Sequence, residues 1–508
     1  MKPIVQQQLR RRKRRIQERL VKALEQDGEQ PTLKPTNIIY KLSDRTRAIS
    51  YGGIGAVKLL CQALGLPQQI DARLHLLKLH MPYHESDHVL NLAFNPLCSG
   101  RTLDDIELRR NDEVYLDAIG TESIPDPTTA GDFCRRFEPE DIFALMDAIN
   151  ETRLTVWGLQ PPSFLEQTAR IDADGTLVPT LGECKQGMDI SHKGIWGYHP
   201  LLVSLANTQE PLFLTNRPAN RPSHEGVIPL FDKAIALCRR AGFTDVMLRG
   251  DTDFSLTTEF DRWDSQGVRF VFGYDAKENL TAIADGRPAN EYAELVRHAE
   301  RVLKTKPRER PVREKERIVH ERHFRNIRLK SEDVAEFEYQ PGKCRRSYRM
   351  VVVRKNLSVE SGDWVLFDDV RYFFYVTNDR AMSRVEVVNE AMQRCNQENL
   401  NAQLKGDVRA LHAPLNTLNA NWAYMVCTAL AWSLKGWLAL MLPVNGRWRE
   451  KHTCERERLL KMEFRTFVQA MMAIPAQIIR TGRRTVFRFL AWNPWQPTFL
   501  RLVDALRC

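Results

Sequence analysis

No two of the ten cysteines stand as a CxxC pair, and none clusters with histidines at metal-ligand spacing. A zinc ribbon is therefore excluded, and with no secretory leader ahead of them the cysteines do not suggest a disulfide framework. A reducing cytoplasm is the expected compartment. No GxxxxGK[ST] loop occurs either, so a nucleotide cofactor is not implied. Apolar runs of membrane length are scarce. Residues 423–443 come nearest, but Lys435 and Gly436 fall inside the run and two asparagines precede it, so it reads as a buried helix with no membrane partner. His80, His84 and His88 fall four apart like ligands on a helix. Pro82 interrupts the first turn, however, and no further cluster completes a site, so no metal is expected there.

What is abundant is basic charge, unevenly spread. The net charge is +10, yet residues 1–26 carry an excess of +7, residues 301–330 of +8 and residues 445–508 of +8, which leaves about −13 for the rest. A basic arm, middle and end around an acidic body suit a polyanion held at several points, although solvated faces would look the same.

The opening "LRRRKRRIQERLVKAL" reads as a basic helix or disordered arm, and residues 1–36 are set apart by the Pro, Gly and Asn between 28 and 37. Residues 37–160 read as an all-helical domain, with cap-like "ESD" and "DPTT" before new apolar runs. After "LQPPS" the texture turns to strands: 169–180, 197–207 and 210–216 look like three antiparallel strands, followed by a helix over 228–243 and a strand in "TDVMLRGD". A long stretch containing the basic 301–330 segment separates "GVRFVFGYD" from "VRYFFYVTND" and a helix through "QENLNAQLK". This order resembles an interrupted ribonuclease-H-like α/β fold.

Three places offer carboxylates to that fold. Asp172 and Asp174 of "RIDADGT" leave the same face of a strand. Asp251 and Asp253 of "RGDTDFS" end another, where a carboxylate costs desolvation unless a cation meets it or it caps a helix. Arg394, Glu398, Asn401 and Lys405 share one helix face, which taken alone is also the pattern of a solvated salt-bridge row. Together, an Asp on the first strand, an Asp ending the fourth and a late helical Glu form an oxygen-only trio able to hold two hard divalent ions, as two-metal phosphoryl transfer requires.

At these residues the chain resembles the DDE-type insertion-sequence transposases, specifically the transposase DDE domain group 1 family. The resemblance rests on "DHVLNLAFN", "DPTTAGDFCRRF", "DADGT", "KGIWGYHPLLVSLANT", "RGDTDFS", "RFVFGYD" and "QENLNAQLK", in order along most of the chain. It implies Asp174, Asp251 and Glu398 as the catalytic carboxylates holding two Mg²⁺ ions, for which Mn²⁺ can substitute. Asp172 and Asp253 compete as close neighbours. Related transposases carry Tyr-x2-Arg-x3-Glu-x6-Lys around the glutamate; Arg394, Glu398 and Lys405 match it, and Ala391 stands at the tyrosine position. Arg394 and Lys405 are then phosphate contacts.

The resemblance further implies DNA as partner, cleavage at terminal inverted repeats, strand transfer of 3′-hydroxyl ends into target DNA, a homodimeric synaptic complex, and a bacterial, nucleoid-associated setting. The corresponding layout is a helical DNA-binding domain (37–160), a ribonuclease-H-like core (161–275 and 370–445), a β-rich basic insertion (276–369) and a basic C-terminal region (446–508). In the last, "IIRTGRRTVFRFLAWNPW" interleaves Arg with aromatics that could grip a backbone, or that pack Phe487 and Phe489 inward. A structure-selective nuclease of the same fold and a retired, DNA-binding transposase relative are the competing functions.

Overall fold

In a computed structural model, residues 3–25, 38–40, 46–295, 314–482 and 484–507 are described. The basic arm is a helix over Pro3–Glu25 whose described side chains are mostly exposed, most of its arginines among them. Part of the basic 301–330 stretch lies outside the described residues; the remainder forms a short helix, Glu314–Glu321, and the start of a long strand.

A mixed α/β architecture is built on one nine-stranded sheet. Its strands are β1 (Ala169–Gly175), β2 (Leu201–Leu205), β3 (Glu210–Thr215), β4 (Val246–Gly250), β5 (Arg269–Tyr274), β6 (Ala293–Glu294), β7 (Arg325–Tyr339), β8 (Tyr348–Ser361) and β9 (Trp364–Thr377), in the spatial order β6-β7-β8-β9-β5-β4-β1-β2-β3. The first three are antiparallel neighbours, while β4 and β5 run parallel to β1. Strands β2 to β5 are largely apolar and buried, as strands covered on both faces must be, whereas β1 alternates Ala169, Ile171 and Ala173 with the polar Arg170, Asp172 and Asp174. The strands after β5 continue the same sheet, because Phe374–Thr377 at the end of β9 pair with Val271–Tyr274 of β5.

The helices that frame the sheet and the site are α1 (Glu85–Leu97), α2 (Pro139–Gly158), α3 (Val227–Ala241), α4 (Arg384–Gln393), α5 (Cys395–Lys405) and α6 (Leu418–Leu440). Alternation along the central strands divides the sheet into two packed faces. Leu248, Phe270 and Phe272 join the core that holds Val227, Leu230 and Phe231 of α3. Met247 and Val271 point the other way, into a smaller cluster with Val387 and Val388 of α4. The polar Asp172 and Arg249 pair therefore belongs to the α4 side, two residues along from Met247.

The apolar run near 423–443 is α6, and the membrane-length window within it is entirely buried against the rest of the protein. Its Lys435 donates to the Leu460 carbonyl at 2.8 Å and sits 3.9 Å from the Trp432 ring centre. Glu210 at the start of β3 ties α2 to α6. Its Oε1 accepts from Arg153 Nε (3.0 Å) and Trp437 Nε1 (2.7 Å), and its Oε2 from Trp157 Nε1 (3.1 Å), with both Arg153 and Glu210 fully buried.

The cap-like segments do start helices: Asp126 Oδ1 accepts the Thr129 amide at 2.9 Å, and α1 begins at Glu85. The three spaced histidines do not share a helix face. His80 and His84 precede α1, stacked 4.8 Å apart beside Glu85, whereas His88 lies buried against the Phe133 ring at 4.3 Å. At the other end of the chain, the hairpin Ala476–Thr481 and Arg484–Phe489 pairs with Ala48–Ile49 and alternates arginines outward with Phe487 and Phe489 inward.

Candidate active site

Register places the first two carboxylates. Strands β1 and β4 are parallel and pair Ile171 with Leu248 and Asp172 with Arg249. Two residues further along each chain, on the same face, stand Asp174 and Asp251, and neighbouring strands lie about 4.8 Å apart. Both carboxylates thus reach the same edge of the sheet side by side. Asp251 opens a single 3₁₀ turn, Thr252–Phe254, and its Oδ1 accepts the Asp253 amide at 3.1 Å; buried Phe254 anchors that turn.

The third segment comes from α4 and α5. The sequence reads as one helix there, but the structure breaks it at Arg394, where the Gln397 amide bonds the Arg394 carbonyl at 2.8 Å in a tighter, three-residue step. From this break Arg394 reaches between two acids, 3.9 Å from Asp251 Oδ2 and 3.7 Å from Glu398 Oε1, close enough for attraction but beyond hydrogen-bond length. One turn beyond Glu398, Asn401 donates to Asp174 Oδ2 at 2.8 Å. Lys405 completes the face, its ammonium pKa lowered by burial and partly restored by the charge of Asp174. Gln397, buried on the adjacent side, accepts from Ser204 of β2 and pins α5 to the sheet.

Electrostatically the site is under-neutralised. Burial pushes the Asp174 carboxyl up to about 6, and the charges of Asp251 and Glu398 push the same way against the pull of Arg394. Asp251 is also raised, again chiefly by burial and against Arg394. Arg394 at arm's length and the partly buried Lys405 do not balance three carboxylates. The oxygen-only donor set, the partial exposure of Asp251 (36%) and Glu398 (62%), and a buried Asn401 Oδ1 with no hydrogen-bond partner among the described residues all fit a hard divalent cation at this edge.

The competing acids are differently employed. Both oxygens of Asp172 are taken by Arg249, at 2.6 and 2.7 Å, and the residue is buried. Asp253 is exposed and meets Asp251 through its backbone amide. Ala391, at the family's tyrosine position, packs against the apolar cluster of Val387 and Val388. Two residues that sequence reading passed over prove central to the geometry: Arg249, whose Nη1 donates to Glu390 Oε1 at 2.7 Å, and Glu390 itself, which also accepts from Arg170. A charged residue inside the apolar run "DVMLRG" was the available signal for the first.

Among solved structures, the chain is similar to the piggyBac transposase in the cryo-EM structure of its synaptic complex with hairpin DNA, at 12% identity and a TM-score of 0.34, over 83% of this chain and 82% of that one. No curated protein matches it in sequence. The family model described as transposase DDE domain group 1 matches residues 42–508, a span that takes in the sheet, all three carboxylate-bearing segments and the C-terminal hairpin. On the strength of that span, the chain belongs to the transposase DDE domain group 1 family.

Proposed function

We propose that this protein is the DNA transposase of a bacterial insertion sequence, cutting at terminal inverted repeats and transferring 3′-hydroxyl ends into target DNA. The observation that carries the reading is the convergence of Asp174, Asp251 and Glu398, from three segments far apart in sequence, around Arg394. In this reading the core is ribonuclease-H-like, supported by the order β3-β2-β1-β4-β5 with its antiparallel first three strands and parallel last two. Residues 161–275 and 370–445 form that core and 276–369 its insertion. The helical region 37–160, the arm 1–36 and the end 446–508 add DNA-binding surface.

Asp174, Asp251 and Glu398 would hold two Mg²⁺ ions, or Mn²⁺ in their place. Bound there, such ions lower the pKa of the attacking oxygen and stabilise the leaving one. The protein's own groups do the rest. Asn401 fixes the orientation of the Asp174 carboxylate. Arg394 and Lys405 put positive charge beside the acids, where a scissile phosphate gathers negative charge as the attacking oxygen closes on it. The basic C-terminal hairpin and the ribbon of β7 to β9, where Arg325 lies 5.3 Å from the Phe367 ring centre and Lys355 4.6 Å from that of Phe373, supply cations and exposed rings suited to a nucleic-acid backbone. Two copies acting on two element ends is the expected assembly.

The test is a plasmid carrying the gene with its native flanks, incubated with protein and Mg²⁺, wild type beside Glu398→Gln, with the 3′ ends of all breaks mapped. Breaks confined to a pair of inverted repeats, and lost in the variant while DNA binding persists, support the proposal. Scattered breaks point to a structure-selective nuclease. DNA binding without breaks points to a retired relative.

A further inference from the structure

We propose that Arg249 is a positioning residue that sets the spacing of the three carboxylates through one buried guanidinium; this rests on the transposase reading of the site. Its Nε and Nη2 donate to the two oxygens of Asp172 at 2.6 and 2.7 Å, and its Nη1 to Glu390 Oε1 at 2.7 Å. Each of the three residues precedes a site residue on its own segment: Asp172 stands two before Asp174 on β1, Arg249 two before Asp251 on β4, and Glu390 four before Arg394 and eight before Glu398. Arg170, also on β1, holds the other oxygen of Glu390 at 3.3 Å, so the clamp is doubled on the helix side.

Stability alone does not account for this arrangement. Asp172 and Arg249 are 1% exposed and Glu390 6%, and taking such charges out of water costs about what their attraction returns; well-packed apolar residues of similar volume commonly hold a core equally well or better. A planar, bidentate guanidinium adds direction. It accepts one relative placement of a strand, its parallel neighbour and a helix, and tolerates little slippage between them. Apolar side chains would hold the same three segments together without fixing their offset to a fraction of an ångström, which a site binding cations through several segments requires. Glu390 sits on the last full turn before the break at Arg394, so the clamp also fixes where α5 starts and hence where Glu398 and Asn401 face.

Three proteins test this: wild type, Arg249→Lys, and the apolar triple variant Asp172→Leu/Arg249→Met/Glu390→Leu. Manganese affinity is read by electron paramagnetic resonance on the full chain without DNA, beside the thermal midpoint and DNA binding, with Glu398→Gln marking which Mn²⁺ belongs to the site. The expected result is a rise of tenfold or more in the Mn²⁺ dissociation constant for Arg249→Lys and for the triple variant, with DNA binding unchanged and the triple variant as thermally stable as wild type. Wild-type Mn²⁺ affinity in a stable triple variant would overturn the proposal, because burial and packing alone would then suffice, and this holds even if Arg249→Lys does not fold. Unaltered affinity in a folded Arg249→Lys would overturn it as well. Should wild type itself bind no Mn²⁺ that Glu398→Gln removes, the functional reading fails and takes this proposal with it.

Discussion

Asn401 and Asp174 stand 227 positions apart in sequence and 2.8 Å apart in space, the amide of one holding Oδ2 of the other. The contact fixes one oxygen of the Asp174 carboxylate. Replacing Asn401 by Leu removes a hydrogen bond to a charged group, a contact typically worth about 1.5–3 kcal/mol. The half-saturating Mg²⁺ concentration for DNA cleavage is expected to rise about 10- to 100-fold, as for other groups that orient a metal ligand. Metal titrations of cleavage at fixed DNA measure it.

Acidity should switch the site off near pH 6. Asp174 titrates at about 6 in the metal-free protein, and only its ionised form can bind a cation. Below that pH each unit of acidification is expected to weaken metal binding by about tenfold, whereas above it the dependence flattens. Isothermal titration of the wild-type protein with Mn²⁺ between pH 5 and 8 follows the effect.

The same shift makes Asp174 a burden on the empty fold. Its carboxyl binds protons more tightly folded (about 6) than at its ordinary value of 3.8, so folding stability falls as pH rises through that window and stays reduced at neutral pH. Asp174→Asn, which keeps the shape and an acceptor for Asn401, is expected to raise the thermal midpoint by a few °C at pH 7.5 without metal. No gain should remain at pH 4, where wild type is already protonated. Scanning calorimetry at the two pH values distinguishes them.

Glu210→Ala should do the reverse, far from the site. It strands the fully buried Arg153 and removes the acceptor of Trp157 and Trp437. Breaking a buried pair on one side costs about 3–5 kcal/mol. The variant is expected to unfold at clearly lower urea than wild type, and Arg153→Met in the same chain should return much of the loss.

Local pattern carried much of this protein into view. Runs of β-formers bounded by turn residues located β1 to β4, the aspartate at Asp126 and the proline after it marked a helix start, and interrupted polarity assigned α6 to the interior. These are short-range effects, in which the residue's own neighbours decide. The residue types and spacings around Asp174, Asp251 and Glu398 were equally legible, because a strand shows every second side chain on one face and a helix every third or fourth. Which of Asp172 and Asp174 faces an open edge was not legible, since both leave the strand on the same side. Only the parallel register of β1 with β4 set Arg249 level with Asp172 and took that aspartate into a buried ion pair. The reach of Asn401 to Asp174 likewise depended on a contact across hundreds of residues. The sequence by itself determined the elements and the chemical kinds available at their ends; the tertiary structure decided which carboxylates stay open and which are consumed in holding the others, because pairing between distant segments is fixed only once the sheet has closed.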